Sequence, residues 1–244
     1  ALLSANAQKR AFTIEDLYRV KGVSSVSLSP DGKTVCYTAS SSDLKNQKSG
    51  SDIYIMNADG SHTKALTEDG KSSSAVWSKD GKSIFFTNYE KGTAQIFRMD
   101  LTTCETEQVT DYELGIGSPV ISPDERYIAF TAEVYPDLGA DAKANKARME
   151  KKEQGPVQAH IADKLLYRHW TSYNDGRCNH LILFDTQTKT YKDLTPGNYS
   201  LIFVVGGGIT YQFSPDSKEI CFVSNHDEHQ EASTNADLWT VSVN

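Results

Sequence analysis

The chain has 244 residues, a formal net charge of −7, 38% hydrophobic residues and four cysteines. That length suits one all-β domain of ordinary size, and the acidic balance argues against nucleic acid or anionic membrane as partners. No apolar run approaches the roughly 20 residues of a membrane-spanning helix. At the N-terminus, Ala1-Leu2-Leu3 is apolar and Ala5-Asn6-Ala7 fits a small-x-small cleavage pattern, with Gln8-Lys9-Arg10 opening the mature chain. Residues 1–7 therefore read as the remnant of a signal peptide, which predicts an exported, periplasmic protein.

A short phrase then recurs: Ser29-Pro30-Asp31-Gly32-Lys33, Ser78-Lys79-Asp80-Gly81-Lys82, Ser122-Pro123-Asp124-Glu125-Arg126 and Ser214-Pro215-Asp216-Ser217-Lys218. Spacings of roughly 40–50 residues, doubled in the last interval, mark propellers and arrays. Each copy lies between apolar runs: Val26 to Leu28 and Thr34 to Thr38, Ala75 to Trp77 and Ser83 to Thr87, Val120-Ile121 and Tyr127 to Thr131, Tyr211 to Phe213 and Glu219 to Ser224. Strand, turn, strand is the reading, because Pro presets φ while Asp and Gly supply a local hydrogen bond and a permissive backbone. A second hairpin follows in each unit, running from Asp52 to Thr67, from Gln95 to Thr110 and from His180 to Thr195. Three units close on an apolar-Thr pair: Leu66-Thr67, Val109-Thr110 and Leu194-Thr195.

Two hairpins per unit make a four-stranded antiparallel sheet, which is a propeller blade, and neighbouring blades stack to share a core. The predicted fold is all-β: a partial propeller over 26–244 with about four blades, after a lead-in over 8–25. The fourth unit begins at Ile209, and its third strand is Asp237 to Val241, where its siblings add a fourth. This pattern predicts a truncated propeller; a closed four-bladed one is the alternative.

The third unit is stretched by an insertion over 132–165. Within it, Ala140 to Gln154 has helix propensity and stops at Gly155-Pro156. Apolar residues are too few there for a buried stripe, so a solvated helix or mobile loop is expected, although long insertions in compact repeats are more often functional than idle. Cys36 and Cys221 occupy matching places in their repeats and read as small blade-packing residues. Cys104 and Cys178 lie near turns, and no structural disulfide is expected.

No Gly-x-Ser-x-Gly elbow is present, so no catalytic residue is assigned. Gly206-Gly207-Gly208 lacks the Lys-Ser/Thr partner of a phosphate cradle and reads as a loop. His226-Asp227-Glu228-His229 reads as a solvated hairpin tip rather than a metal site. Neither metal nor cofactor is expected. The remaining candidate runs from Tyr167 to Gly176. Arg168, His169, Trp170 and Tyr173 there could bind a carboxylate or stack on a ligand, and together they form the candidate substrate-binding set. An aromatic strand with an Asn174-Asp175-Gly176 turn is the plainer reading.

Phe12 to Leu17 followed by Val26 to Lys33 resembles the opening of bacterial peptidases of the prolyl oligopeptidase family. Leu166 to Trp170, Asp175 to Leu181, Asp193 to Gly197, Phe213 to Asp216 and the stretch from Ser224 to Trp239 resemble the acylaminoacyl-peptidase and dipeptidyl peptidase V branch. The Ser-Pro-Asp-Gly phrase is shared with TolB-type propellers. The resemblance implies a serine exopeptidase that releases dipeptides or acylated residues, and the signal-peptide remnant places it in the periplasm. This propeller would gate and position peptide substrates for the chain's own C-terminal α/β-hydrolase domain, which holds the catalytic triad and is absent here. It also implies a short helix over Thr13 to Val20, capped by Thr13 with Asp16. No adjacent Glu-Glu pair is present to anchor a substrate ammonium. The rival reading is a non-catalytic TolB-like propeller binding a protein partner in the envelope; homo-oligomerisation is left open by both.

Overall fold

The computed structural model describes residues 10–162, 165, 167–201 and 210–244. The expected signal-peptide remnant, Leu166, Gly206 to Gly208 and the start of the fourth unit at Ile209 lie outside the described residues. The chain forms two compact units, Ala1–Thr87 and Asn88–Asn244.

In the first unit, helix α1 (Ile14–Arg19) begins where the resemblance implied. Asp16 reaches back to accept the Thr13 N–H at 2.9 Å and is paired with Arg10 and Arg19. The Arg10 guanidinium, with the Thr13 N–H, holds the Asp16 carboxyl well below the usual carboxylate range. Strands β1 (Gly22–Leu28), β2 (Thr34–Asp43), β3 (Lys48–Asn57) and β4 (Lys64–Ala65) follow, in the order β1-β2-β3-β4. A second sheet takes β5 (Ser72–Trp77), β6 (Ser83–Asn88), β7 (Gln95–Asp100) and β8 (Thr106–Gln108) in chain order, and the division between the units falls in β6.

The second unit continues with β9 (Gly117–Ile121) and β10 (Tyr127–Val134), then helix α2 (Ala142–Glu153) and the short β11 (Arg168–His169) and β12 (Ser172–Tyr173). Strands β13 (Cys178–Asp185) and β14 (Thr190–Asp193) complete a sheet of order β14-β13-β10-β9. Last come β15 (Tyr211–Phe213), β16 (Glu219–Ser224), a 3₁₀ turn at Gln230–Ala232 and β17 (Asp237–Ser242), which pair as β15-β16-β17. Each sheet is the meander that the repeats predicted.

The recurring phrase is a turn built by its own side chains. Ser29 Oγ donates to Asp31 Oδ1 at 2.7 Å and accepts the Thr34 N–H at 2.9 Å, while Asp31 accepts the Lys33 N–H at 3.1 Å. The same bonds recur at Ser78, Ser122 and Ser214 with Asp80, Asp124 and Asp216. The fourth residue of the phrase sits at positive φ each time, +72° at Gly32 and +62° at both Glu125 and Ser217. The turn geometry therefore outlasts the glycine, because the Ser and Asp hydrogen bonds hold it.

The apolar-Thr pairs close the opposite side of the three four-stranded sheets. Thr67 Oγ1 accepts the Ile53 N–H at 3.0 Å and donates to Asp52 Oδ1 at 3.1 Å; Asp52 Oδ1 also accepts the Gly70 N–H at 3.0 Å. Thr110 Oγ1 accepts the Ile96 N–H at 2.9 Å and donates to Gln95 Oε1 at 2.8 Å, which also accepts the Tyr112 N–H. Thr195 Oγ1 accepts the Leu181 N–H at 2.9 Å, and the residue before Leu181 is His180. The hydroxyl satisfies a third-strand N–H that the short fourth strand no longer reaches. The polar residue before that N–H clamps the chain as it leaves the sheet.

His180 is wholly buried, with Nδ1 2.7 Å from Asp193 Oδ2 and Nε2 2.9 Å from the Gly197 carbonyl oxygen. Both partners are acceptors, so both ring nitrogens carry protons and the imidazole is a cation. Burial pulls its pKa down, but the Asp193 hydrogen bond and charge, with the Gly197 carbonyl, outweigh it and raise it to about 9.

Strands β10 and β13 read as continuous apolar runs because both their faces are buried. On one face Phe130 and Phe184 meet Tyr112 and Tyr191 in a ring cluster with centroids 4.8–6.1 Å apart. On the other, Tyr127, Ala129, Leu181 and Leu183 pack with Tyr211, Phe213, Ile220 and Phe222 of the last sheet. The four cysteines are free. Cys36 is the buried packing residue expected, its thiol 3.6 Å from the Ala75 carbonyl oxygen and its pKa pushed by burial up to about 11. Cys221 departs from the expectation and is exposed. Strand β16 packs its other face, Ile220 and Phe222, into the core, and Leu238 on the neighbouring strand is likewise 74% exposed.

Two outcomes follow from the threonine bonds. Thr110→Val should lower stability by about 1–3 kcal/mol in urea unfolding, because Ile96 N–H and Gln95 lose a buried partner; Thr102→Val, on an exposed turn, should stay within about 0.5 kcal/mol. His180 is protonated more readily in the folded chain than its ordinary 6.5, so its stabilisation is full below about pH 6.5 and lost as pH rises through about 9. The thermal midpoint of the wild-type chain should therefore exceed that of His180→Gln most at pH 6, with the gap narrowing towards pH 9.5. An unchanged gap would show that His180 does not titrate in this range.

Candidate functional site

The insertion leaves the third sheet after β10 and returns at β13, and polar bonds hold its base. Asn145 of α2 is wholly buried; its Oδ1 accepts the Tyr135 N–H at 2.6 Å and its Nδ2 donates to the Gly139 and Asp141 carbonyl oxygens at 3.0 and 2.8 Å. Asp141 caps the helix by accepting the Ala144 N–H at 3.0 Å. The Arg148 guanidinium lies over the Tyr135 ring at 4.7 Å and makes a two-pronged pair with Asp137 at 2.7 Å; Lys152 Nζ lies 5.2 Å from the same ring. α2 is thus docked without an apolar stripe, through one asparagine and two cations on a tyrosine. The expected solvated helix is present, with most of its residues exposed and Asn145 buried, and its attachment is specific.

On the return side, Asp175 Oδ1 accepts from Arg177 Nε at 2.9 Å, Asp175 Oδ2 accepts from the Tyr135 hydroxyl at 3.2 Å, and Lys152 donates to the Asp175 carbonyl oxygen at 2.8 Å. Arg177 also pairs with Glu133 at 3.1 Å. Between these anchors stands the β11–β12 ribbon, with Arg168 paired to Tyr173 and His169 to Ser172. The ribbon itself turns at Trp170, at φ +46°. Asn174 to Gly176 forms the turn of the plainer reading and leads into β13, with Asn174 Oδ1 accepting the Gly176 N–H at 2.9 Å.

Of the four candidates, Arg168 is exposed, Trp170 is 85% exposed, and Tyr173 is 41% exposed and stacked on His160 with centroids 4.0 Å apart. The His169 side chain lies outside the described residues. The ribbon therefore presents a guanidinium and flat aromatic surface on a fixed base, a combination that suits carboxylates and peptide groups. Among the described residues, Arg177 is held by pairing with Glu133 and Asp175.

A second aromatic group went unread in the sequence. His226 is sandwiched between Tyr199 at 4.0 Å and Trp239 at 4.1 Å, and Trp239 Nε1 donates to the Ser224 carbonyl oxygen at 3.3 Å. The segment from His226 to His229 is thus ordered by ring stacking and by Asp227, which accepts from Ser233 and Asn235. Among the described residues, no group of three His, Cys, Asp or Glu is placed to hold a metal. The His180–Asp193 pair has the geometry of two members of a catalytic triad, but its outer nitrogen faces the Gly197 carbonyl oxygen rather than a hydroxyl. It closes the sheet.

Residues 11–154 match the family described as the TolB beta propeller domain. Dipeptidyl-peptidase 5 of Porphyromonas gingivalis is 30% identical over 228 residues, which is 91% of this chain and 32% of that protein. Among solved structures, an acylaminoacyl peptidase of Pyrococcus horikoshii aligns with a TM-score of 0.63 at 17% identity, over 92% of this chain and 31% of that one. A putative TolB from Agrobacterium tumefaciens aligns with a TM-score of 0.50 at 17% identity, over 88% and 60%. The chain spans about a third of the length of the dipeptidyl-peptidase relative. It belongs to the TolB β-propeller domain family.

Proposed function

We propose that this chain is the substrate-positioning propeller of a dipeptidyl or acylaminoacyl peptidase, whose nucleophile and base belong to another domain of the whole protein. The observation that carries this reading is the 30% identity to a dipeptidyl-peptidase across 91% of the chain. The ribbon supplies contact rather than chemistry: Arg168 for a carboxylate or carbonyl, Trp170 and Tyr173 for rigid apolar surface. Such contacts bind ground and transition states alike, so they act on KM. A non-catalytic TolB-type propeller is the second reading, favoured by the family match alone. A reading frame that encodes Gly-x-Ser-x-Gly in a strand-turn-helix context fits only the first.

In the whole protein, Arg168→Ala and Trp170→Ala should each raise KM for dipeptidyl substrates about three- to tenfold. Neither should change kcat more than about twofold, and the thermal midpoint should hold because both side chains are exposed. Wild-type kinetics in both variants would remove the ribbon from the substrate path. A fall in midpoint would make it a packing element.

A further inference from the structure

The β11–β12 ribbon is too small to hold its own position. It is a separate sheet of two strands and two residue pairs, and an isolated hairpin is marginal in water. Its described side chains, Arg168 and Trp170 to Tyr173, are all exposed, so burial of apolar surface does little to fix it. What fixes it comes from α2, at two places.

The first is the exit of β12. Asn174 N–H donates to the Tyr167 carbonyl oxygen at 2.8 Å and closes the base of the ribbon. Asp175 follows, and Arg177 Nε reaches both of its carboxylate oxygens, at 2.9 and 3.1 Å, while the Tyr135 hydroxyl donates to one of them at 3.2 Å. From α2, Lys152 Nζ donates to the Asp175 carbonyl oxygen at 2.8 Å, and Arg177 Nη1 donates to Met149 Sδ at 3.8 Å. Burial raises the Asp175 pKa, but Arg177 outweighs it and holds the carboxyl below its ordinary range. One carboxylate thus joins the end of β10, the last turns of α2 and the start of β13 beside the ribbon's base.

The second place is the flank of β12. Gln158 Nε2 donates to the Glu153 and Gly155 carbonyl oxygens at 3.1 and 2.7 Å, which folds the chain back onto the end of α2. Two residues later His160 lies on the Tyr173 ring, with centroids 4.0 Å apart and the planes within 5° of parallel. Strand β12 is therefore pinned at Tyr173 and again two residues on, both times from α2.

We propose that α2 is the strut of the ribbon, and that Asp175 and His160 are positioning residues that fix the stance of Arg168 and Trp170. The strut stands on these contacts alone; its kinetic consequence rests on the substrate-positioning reading. A loosened ribbon holds its binding stance for only a fraction of the time, and a fraction of about one third raises KM about threefold without touching the chemical step.

The test uses the whole protein with Asp175→Asn, which keeps the shape but turns a donor towards Arg177 or Tyr135, and with His160→Ala beside His160→Phe, which restores a flat ring. In amide hydrogen exchange, Asp175→Asn should cut the protection of the Asn174 amide about tenfold or more, while the β10 and β13 amides keep theirs. Asp175→Asn and His160→Ala should each raise KM for dipeptidyl substrates about threefold at constant kcat, and His160→Phe should restore it. Neither should add to KM once Arg168→Ala and Trp170→Ala are both present, as coupled groups require. Unchanged protection at Asn174 overturns the proposal, and so does protection lost across β10 and β13, which would make Asp175 an anchor of the whole sheet. A KM effect that persists without Arg168 and Trp170 overturns it as well, as does a wild-type KM in Asp175→Asn where Arg168→Ala raises it. Local loosening at Asn174 together with a wild-type KM in the Arg168→Ala, Trp170→Ala protein upholds the strut and instead removes the ribbon from the substrate path.

Discussion

One hydroxyl at the close of each of three four-stranded sheets settles how far the fourth strand runs and where the chain goes next. A four-stranded sheet with a two-residue outer strand, as in β4, leaves third-strand N–H groups that water cannot reach. Thr67, Thr110 and Thr195 each take one of them, and the hydroxyl or the neighbouring polar side chain then holds the segment that departs. Replacing such a group leaves a buried donor unpaired, at a cost of about 1–3 kcal/mol. That is a large fraction of the stability of an ordinary domain. The clamp differs in chemistry from sheet to sheet: a carboxylate, an amide and an imidazolium do the same geometric work. The third responds to pH between about 6.5 and 9.

The sheets were legible in the sequence because their signals are local. Ser, Asp and a residue tolerant of positive φ, placed between two apolar runs, leave few alternatives to a hairpin, and every such phrase became one. The apolar-Thr pairs were visible as a pattern, but their role was not. The partner of each threonine lies 14 or 15 residues away across a hairpin, and no periodicity announces a side-chain to backbone bond at that distance. Cys221 shows the limit of repeat logic. It matches Cys36 in place, but whether such a residue is buried depends on what covers its face.

The insertion was the least legible part for the same reason. Its composition gave the helix to within two residues at each end, and correctly showed no apolar stripe. What docks that helix is Asn145 inside and Arg148 with Lys152 on Tyr135, contacts that depend on tertiary placement and not on spacing. Arg168 and Arg177 look alike in sequence, nine residues apart in a basic and aromatic stretch. The structure separates them: Arg177 ties the base together through Asp175 and Glu133, while Arg168 stands exposed on the ribbon. The Tyr199–His226–Trp239 stack draws on three segments far apart in the chain, and the polar run around His226 hides it.

Residue-resolved amide hydrogen exchange on this chain tests the threonine closure most directly. If the hydroxyls are the closing bonds, the Ile53, Ile96 and Leu181 amides exchange as slowly as the central pairs of β10 and β13, although no backbone carbonyl receives them. Exchange of these three amides at the rate of a turn amide such as Gly60 would contradict it.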